Sequence, residues 1–426
     1  MTQIEDHPLR YALANELHAR PFPPLEAPSR AAYLAIKRPE NAAKRDRNLD
    51  RAHLTELLDR FGAAHPQPGA THWYGQIGKH WLKWESHTEF VTYTIFGSGN
   101  AARPFDAATF DVFPKDWLGR APGVRMTSAL IRVESQEDDA GIGAKLEEWF
   151  VSESLAASRV IDDAAIIAGD FRIDPAGHQR FAVFARPDAG PRRIGRVVQR
   201  LCEIETYKTM SMLGLARARE LGTRLGEIDE ELTRLMGDMS GKVAKADETL
   251  DALLQVSSEL ENMLTRSSFR FGATHAYEAL VNQRTAILRE KRFEGRQTFH
   301  EFMMRRFDPA MRTVNATESR LNAMSDRAMR AGNLLRTRVD VERSAENQLL
   351  LESMDRRSDL QLRLQRTVEG LSVVAISYYA VNLAIYILGP VGEETGVSKI
   401  VMTAVVTPLV ILGVWGLIRR IRKDAE

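Results

Sequence analysis

The stretch LSVVAISYYAVNLAIYILG, Leu371 to Gly389, runs nineteen residues without a charged side chain. A second stretch, IVMTAVVTPLVILGVWGLI from Ile400 to Ile418, is also nineteen residues long and uncharged. As a helix, each would extend about 28 Å, which matches a hydrocarbon core of about 30 Å. The two stretches therefore predict a transmembrane helical hairpin with a short outer loop at 390–399. The alternative is a buried helix pair in a soluble protein.

The charges around the two stretches predict their orientation. Basic residues flank the hairpin on the side away from the loop: Arg356, Arg357, Arg363 and Arg366 before it, and Arg419, Arg420, Arg422 and Lys423 after it. The loop contains Glu393, Glu394 and a single lysine, Lys399. Because cytoplasmic loops are enriched in Lys and Arg, we expect a multi-pass protein with both termini in the cytoplasm and a basic tail at 419–426.

Composition and sequence motifs argue against several other classes of protein. With 58 Lys and Arg against 57 Asp and Glu, the formal charge of +1 gives no reason to expect nucleic-acid binding. The single cysteine, Cys202, cannot form an internal disulfide. We find no nucleophile elbow, phosphate-binding loop, dinucleotide-binding or zinc-protease motif, so an enzyme is not expected.

The first part of the chain predicts a mixed α/β domain over residues 1–190. Thirteen of the seventeen prolines and five of the six tryptophans lie before residue 191, which indicates short elements joined by turns. Two helices are predicted, at 47–62 and 142–158. Runs of aromatic and β-branched residues predict strands at 31–37, 72–78, 80–86, 89–96, 126–133 and 179–186.

The rest of the chain predicts helices. Apolar residues recur every three or four positions after Arg192, which indicates a helical domain over 191–308. Asp308 as N-cap and Pro309 at the first helical position predict that a new helix begins there. No further proline occurs before Pro390, so 309–370 is predicted as a long stalk that runs into the first span at 371–389. The predicted fold class is α+β.

Polar side chains follow one side of the first span. Their spacings of three and four residues place them in a seam: Ser372, Ala375, Tyr379, Asn382 and Tyr386. Because polar groups at bilayer depth are costly unless they meet a partner or water, this seam is expected to face inward in an assembly. Asn382 could line a pore or could bond a neighbouring helix, and the spacing leaves both open.

Two further groups of side chains are candidate ion sites. Glu393 and Glu394 could concentrate cations at an outer mouth, although a solvated turn also explains them. His72, His80 and His87 could converge at a sheet edge as metal ligands, but their spacing matches no zinc-binding pattern and no other metal site is predicted.

The order of these parts resembles the CorA-type magnesium channel family. Its Tyr-Gly-Met-Asn motif at the end of the first span is matched here by Tyr379-Ala380-Val381-Asn382, with the tyrosine and asparagine in common. The ending GVWGLIRRIRK, at 413–423, also resembles that family's second span and tail. The resemblance implies a homo-oligomer, with five subunits, that passes Mg²⁺ or a similar divalent cation along an axis lined by the first span. No other cofactor is implied.

A second resemblance covers almost the whole chain. The segments HPLRYALANELHARPFPP, at 7–24, and HWYGQIGKHWLKWESHTEFVTYTIF, at 72–96, resemble the bacterial membrane-anchored family called domain of unknown function 3422. This resemblance implies the bacterial inner membrane as location and the lipid bilayer as partner, without an activity. A membrane-anchored cytoplasmic scaffold or binding protein without transport therefore remains as the alternative function.

Overall fold

The computed structural model describes residues 4–16, 22–239, 246–395 and 398–425. Within these ranges the α-helices are Arg10–Glu16 (α1), Arg47–Arg60 (α2), Lys115–Gly119 (α3), Ile142–Trp149 (α4), Pro191–Asp238 (α5), Ala246–Ile287 (α6), Phe299–Arg306 (α7), Asp308–Thr395 (α8) and Lys399–Ala425 (α9). The strands are Ser29–Lys37 (β1), His72–Ile77 (β2), His80–Ser86 (β3), Phe90–Ser98 (β4), Val124–Ser135 (β5), Ala156–Val160 (β6), Ala165–Gly169 (β7), Gln179–Ala185 (β8) and Lys291–Arg292 (β9). The predicted α+β class is confirmed.

The strands form one sheet in the order β2-β3-β4-β1-β5-β8-β7-β6-β9. Every pairing is antiparallel except that of β5 with β8, which is parallel. The six predicted strands correspond to β1 to β5 and β8. Because β1 lies between β4 and β5, it joins the strands β2 to β4 on one side to the strands β5 to β9 on the other.

One face of the sheet packs on α2 and α3. Leu54, Leu57 and Leu58 of α2 are fully buried against this face. Trp117 of α3 donates its indole N–H to the His53 carbonyl oxygen at 2.8 Å, and its ring stacks on the His53 ring. This core therefore includes polar atoms whose hydrogen bonds are satisfied internally.

The helix predicted at 142–158 ends early, at Trp149. Its last residues belong instead to β6, which pairs with β7 through a tight connection. Ile161, Asp162 and Asp163 in that connection have positive φ values of 51°, 58° and 66°. Small and apolar residues dominate both strands, and their burial in the sheet overrides the helical periodicity of the local sequence.

The helix α5 covers the face of the sheet that α2 and α3 leave open. Thr206 of α5 shares a hydrogen bond with the Tyr33 hydroxyl of β1, and Glu205 accepts one from Thr127 of β5 at 3.1 Å. The compact units of the chain are residues 1–237 with 252–330, and residues 238–251 with 331–426. The helix α7 and most of α5 and α6 belong to the unit that contains the sheet, and the boundaries predicted at 190 and 308 stay predictions.

A new helix begins at Asp308, as the sequence predicted, and α8 then continues for 88 residues, or about 130 Å. It passes through Pro390 and ends at Thr395, so the connection to α9 is shorter than the predicted loop at 390–399. Pro390 has no N–H to donate to the carbonyl oxygen of Tyr386, so α8 continues past it with one backbone hydrogen bond fewer.

Two helices are long and apolar enough to cross a membrane. Their apolar segments lie in the C-terminal part of α8 and in α9. Only 6% of the most apolar eighteen-residue window is buried in the first helix, and none is buried in the second. The described apolar side chains are therefore largely uncovered, unlike those of a core helix in a soluble domain.

Gly195 allows a test of how closely α5 packs against the segment at 22–25. A Cβ atom at this position would lie 1.6 Å from the Pro23 carbonyl oxygen, whereas the same atom at Gly222 of the same helix would meet nothing within 4 Å. We expect Gly195→Ala to lower the free energy of unfolding by at least about 2 kcal/mol through displacement of the 22–25 segment. Gly222→Ala should raise it by up to about 1 kcal/mol. Thermal unfolding of both variants measures this, and an unchanged midpoint for Gly195→Ala would contradict the packing.

Candidate functional site

A cavity of about 360 Å³ lies between the sheet and α5. Its walls come from β1, β3, β4, α5, the C-terminal part of α6 and the segment before β1. The lining side chains are Phe22, Tyr33, Lys83, Glu85, His87, Phe90, Thr92, Thr94, Phe96, Gln199, Arg200, Cys202, Glu203, Thr206, Tyr207 and Arg284. Five of the sixteen are formally charged at neutral pH, so the cavity is a polar site rather than a packing defect.

Strand alternation places these side chains on one face. In β4, Val91, Tyr93 and Ile95 enter the core beneath α2, whereas the residues between and beside them face the cavity. In β3, Leu82 and Trp84 enter the same core, and Lys83 and Glu85 face the cavity. The sheet therefore presents an apolar face to α2 and a charged face to α5.

The charged face is neutralised by direct pairing. The Lys83 ammonium lies 3.2 Å from a Glu85 carboxylate oxygen and donates to the Gln199 side-chain oxygen at 2.7 Å. The Gln199 amide then donates to Glu203 at 2.7 Å, and the Arg284 guanidinium pairs with the other oxygen of Glu203. This chain of contacts joins β3 to α5 and α6. Since the Lys83 side chain is only 6% exposed, these contacts replace the hydrogen bonds to water that it loses on burial.

Arg200 is the exception among the charged cavity residues. It lies on α5, one residue after Gln199, and is half-buried. Its guanidinium makes no hydrogen bond or ion pair to any residue that the structure describes. Burial lowers the pKa of Arg200 from its ordinary value, and the nearby Arg196 adds to this shift. An arginine nevertheless stays charged at neutral pH, so the cavity contains a cation that pairs with none of the described residues.

Aromatic rings form the apolar part of the wall. The rings of Tyr207 and Tyr277 are stacked with centroids 5.8 Å apart, and His87 stacks on Phe90 with centroids 4.4 Å apart. Burial raises the pKa values of the Tyr207 hydroxyl and of the Cys202 thiol. Both groups are therefore protonated at neutral pH, and the thiol has little thiolate character.

Two arginines fix the turn that carries His87 and Phe90. Arg45 is buried and donates to the His87 and Phe90 carbonyl oxygens at 2.7 and 3.1 Å, while Asp50 binds its Nε at 2.7 Å. Arg270 of α6 pairs with the buried Glu89 at 2.8 Å. The rim of the cavity is thus held by charge-assisted hydrogen bonds on both sides.

The three histidines predicted as a possible metal site are not brought together. His80 begins β3 and His87 follows its end, so about 23 Å of extended chain separates them. His72 begins β2, opposite Glu85. Among residues 4–16, 22–239, 246–395 and 398–425, no group of three or more His, Cys, Asp or Glu side chains could hold a metal ion.

The predicted polar seam of the first span lies mostly on an uncovered side of α8. Tyr379 and Tyr386 are 73% and 81% exposed, Ser372 and Ala375 are also exposed, and Asn382 is half-buried. The covered side centres on Ser377. Whether the seam lines a pore therefore stays a prediction. The side chains of Glu393 and Glu394 lie outside the described residues.

Sequence reasoning missed the cavity, although β3 held a signal for it. The strand HWLKWES, at 80–86, alternates large apolar residues with Lys83 and Glu85, which is typical of a strand with one solvated face. Gln199, Glu203 and Arg284 gave no local signal because they lie on surfaces that only the tertiary fold brings to β3. The pattern in β3 indicates a cavity only when it is known that a helix covers this face of the sheet.

The pairing predicts an asymmetric response to mutation. Lys83→Met should lower the free energy of unfolding by about 3 kcal/mol, because Glu85, at 14% side-chain exposure, loses its ammonium partner. The double variant Lys83→Met/Glu85→Gln should recover most of the loss, since it removes both charges. Denaturant unfolding of the full chain measures both, and equal stabilities for the single and double variants would contradict the pairing.

Comparison with known proteins adds a family to this geometry. No curated protein and no solved structure matches the chain. The family described as "Protein of unknown function (DUF3422)" matches residues 5–425, which include the sheet, the cavity and both apolar helices. This confirms the resemblance seen in the residues at 7–24 and 72–96. The chain belongs to the DUF3422 family.

Proposed function

We propose that this protein is a membrane-anchored binding protein whose α/β domain holds a small polar molecule in the cavity between the sheet and α5. The observation that carries the proposal is the cavity itself, which is lined by paired charges and aromatic rings. Its volume of about 360 Å³ lies in the range of small-molecule sites. Wall residues that are already paired are held in place before a ligand arrives, which reduces the entropy lost on binding.

The protonated state of the two potential nucleophiles in the cavity, the Cys202 thiol and the Tyr207 hydroxyl, favours reversible binding over covalent catalysis. Cys202 and Tyr207 both line the cavity, and burial keeps the thiol and the hydroxyl protonated. Among the described residues, neither the Cys202 thiol nor the Tyr207 hydroxyl forms a hydrogen bond with a side chain that could act as a base. Reversible recognition therefore needs fewer assumptions than a reaction.

The two apolar helices support a membrane anchor. The basic residues before the first and after the second apolar segment, and the acidic residues between them, favour an orientation with both termini in the cytoplasm. In this arrangement the binding domain lies in the cytoplasm at the inner membrane of a bacterium. The hairpin then concentrates the domain at the bilayer without contributing to the cavity.

Filling the cavity tests the binding function. Thr94 faces the cavity from β4, opposite Lys83 on the neighbouring strand, so Thr94→Phe should occupy part of the volume. In a thermal-shift screen of small polar metabolites against the full chain, we expect at least one compound to stabilise the wild type by several degrees and Thr94→Phe by less than a third of that shift. Val124→Phe, on an exposed strand position, is the matched control and should respond like the wild type. A library without a stabilising compound, or an equal response from Thr94→Phe, would contradict the proposal.

A homo-oligomeric cation channel is the second candidate. The observation that favours it is the exposure of Tyr379 and Tyr386, which leaves much of the polar seam free to meet other copies of the chain. In a ring of subunits, the amide oxygens of Asn382 could hold a hydrated divalent cation such as Mg²⁺ through its waters. Glu393 and Glu394 would then attract cations at the outer mouth, and five subunits would follow from the CorA resemblance alone.

Flux measurements separate the two candidates. For a channel, we expect Mg²⁺ uptake into liposomes that contain the full chain, loss of at least nine-tenths of this uptake in Asn382→Leu, and retention in the neighbouring Leu383→Ala. Flotation of the same liposomes checks that each protein enters the bilayer. Absence of wild-type flux in protein that floats with the liposomes would remove the channel and leave the binding protein, whereas protein that does not float would contradict the anchor.

A further inference from the structure

Among the described residues, the walls of the cavity carry more positive than negative side chains. Three cations, Lys83, Arg200 and Arg284, face two carboxylates, Glu85 and Glu203. Each carboxylate already has a cationic partner, because Lys83 binds Glu85 and Arg284 binds Glu203. The excess positive charge is therefore located at Arg200, and no described side chain of the protein neutralises it.

The surroundings of Arg200 increase the cost of this excess charge. Arg196, Arg284 and Arg289 all repel it, whereas Glu203 attracts it. Glu203, however, directs its oxygens toward Gln199 and Arg284. A half-buried guanidinium in such a field is stabilised most by an incoming anion, which can accept two parallel N–H hydrogen bonds from it.

The phenylalanine rings of the cavity wall favour an anion that also carries an apolar group. Phe90 and Phe96 of β4 and Phe22 of the N-terminal segment contribute flat apolar surface to the same cavity. Phe22 is fixed by the Arg196 guanidinium, which lies 5.0 Å from the centre of its ring. A free inorganic ion would leave these rings in contact with water, whereas an organic anion would cover them.

We propose that the cavity binds a compact organic anion, with a carboxylate or phosphate monoester against Arg200 and an aromatic or aliphatic body against the phenylalanines. This inference rests on the proposed binding function and names its ligand class. Carboxylates and phosphate monoesters share the geometry of two oxygens that match a guanidinium, so the two sources are separated by experiment. Arg200 is assigned as the residue that selects for negative charge.

Ligand-observed NMR on the full chain in nanodiscs tests this assignment with four probes that share one ring. Benzoate and phenyl phosphate carry the anion, benzyl alcohol is neutral, and benzylamine is cationic. We expect at least one anionic probe to bind the wild type at least tenfold more tightly than benzyl alcohol and benzylamine. A preference for benzoate or for phenyl phosphate identifies the source of the anionic group.

Variants of α5 locate the charge. Arg200→Gln should weaken the anionic probe at least tenfold and leave benzyl alcohol unchanged, while Arg200→Lys should keep part of the preference because the charge remains. Arg193→Gln removes an exposed arginine from the same helix and controls for net charge. Thermal unfolding of each variant verifies that it is folded, and Arg200→Gln should be stable because Arg200 has no partner to lose.

Each result has a distinct meaning. Benzyl alcohol or benzylamine binding as tightly as the anions would overturn the anion inference while the binding function stands. Anionic probes that bind Arg200→Gln and the wild type equally would overturn the role of Arg200. If none of the four probes binds but other molecules stabilise the wild type in the cavity-filling screen, the inference is wrong and the proposed function survives. If that screen also finds none, both are wrong.

Discussion

A pair of charges on a covered face of the sheet is the constraint on which the domain depends. Strand alternation fixes the direction of Lys83 and Glu85, because Leu82 and Trp84 must enter the core beneath α2. Once α5 covers the opposite face, these charges can remain there only if they are paired and hydrogen-bonded. Gln199, Glu203 and Arg284 meet this requirement, and so they set how α5 and α6 lie on the sheet.

The same constraint leaves a space. Side chains that must reach one another across a strand-to-helix gap cannot also fill it, and the large rings around them pack with one another instead. The result is a cavity with preformed walls in which, within the part of the chain that the structure describes, Arg200 is a cation without an ion-pair partner. Separately from this site, two helices of the chain are long and apolar enough to cross a membrane, and their most apolar segments are largely uncovered.

The sequence predicts those elements whose signals are local. Alternating aromatic and β-branched residues identified β1 to β5 and β8, and Asp308 with Pro309 marked the start of α8. The pair β6 and β7 was missed because its small residues fit a helix locally and are strands only through burial in the sheet. The extension of α8 past Pro390 was missed because a proline removes one backbone hydrogen bond from a helix without always ending it.

The candidate site was less accessible to sequence reasoning than the fold. The histidines drew attention because of their chemistry, yet β3 holds His80 and His87 apart. Arg200 resembles many other arginines of a charged helix, and only its position beside residues that are already paired makes it distinctive. Such a property belongs to tertiary neighbours and has no sequence pattern.

The central claim is that the paired charges of the sheet and helix enclose a site for an organic anion. Its most direct test is an anomalous diffraction measurement on crystals of the full chain grown with 4-bromobenzoate. The account predicts a bromine peak between α5 and β4, with the carboxylate in contact with Arg200. A bromine peak outside this cavity, or an occupied cavity in which the carboxylate points away from Arg200, would contradict it.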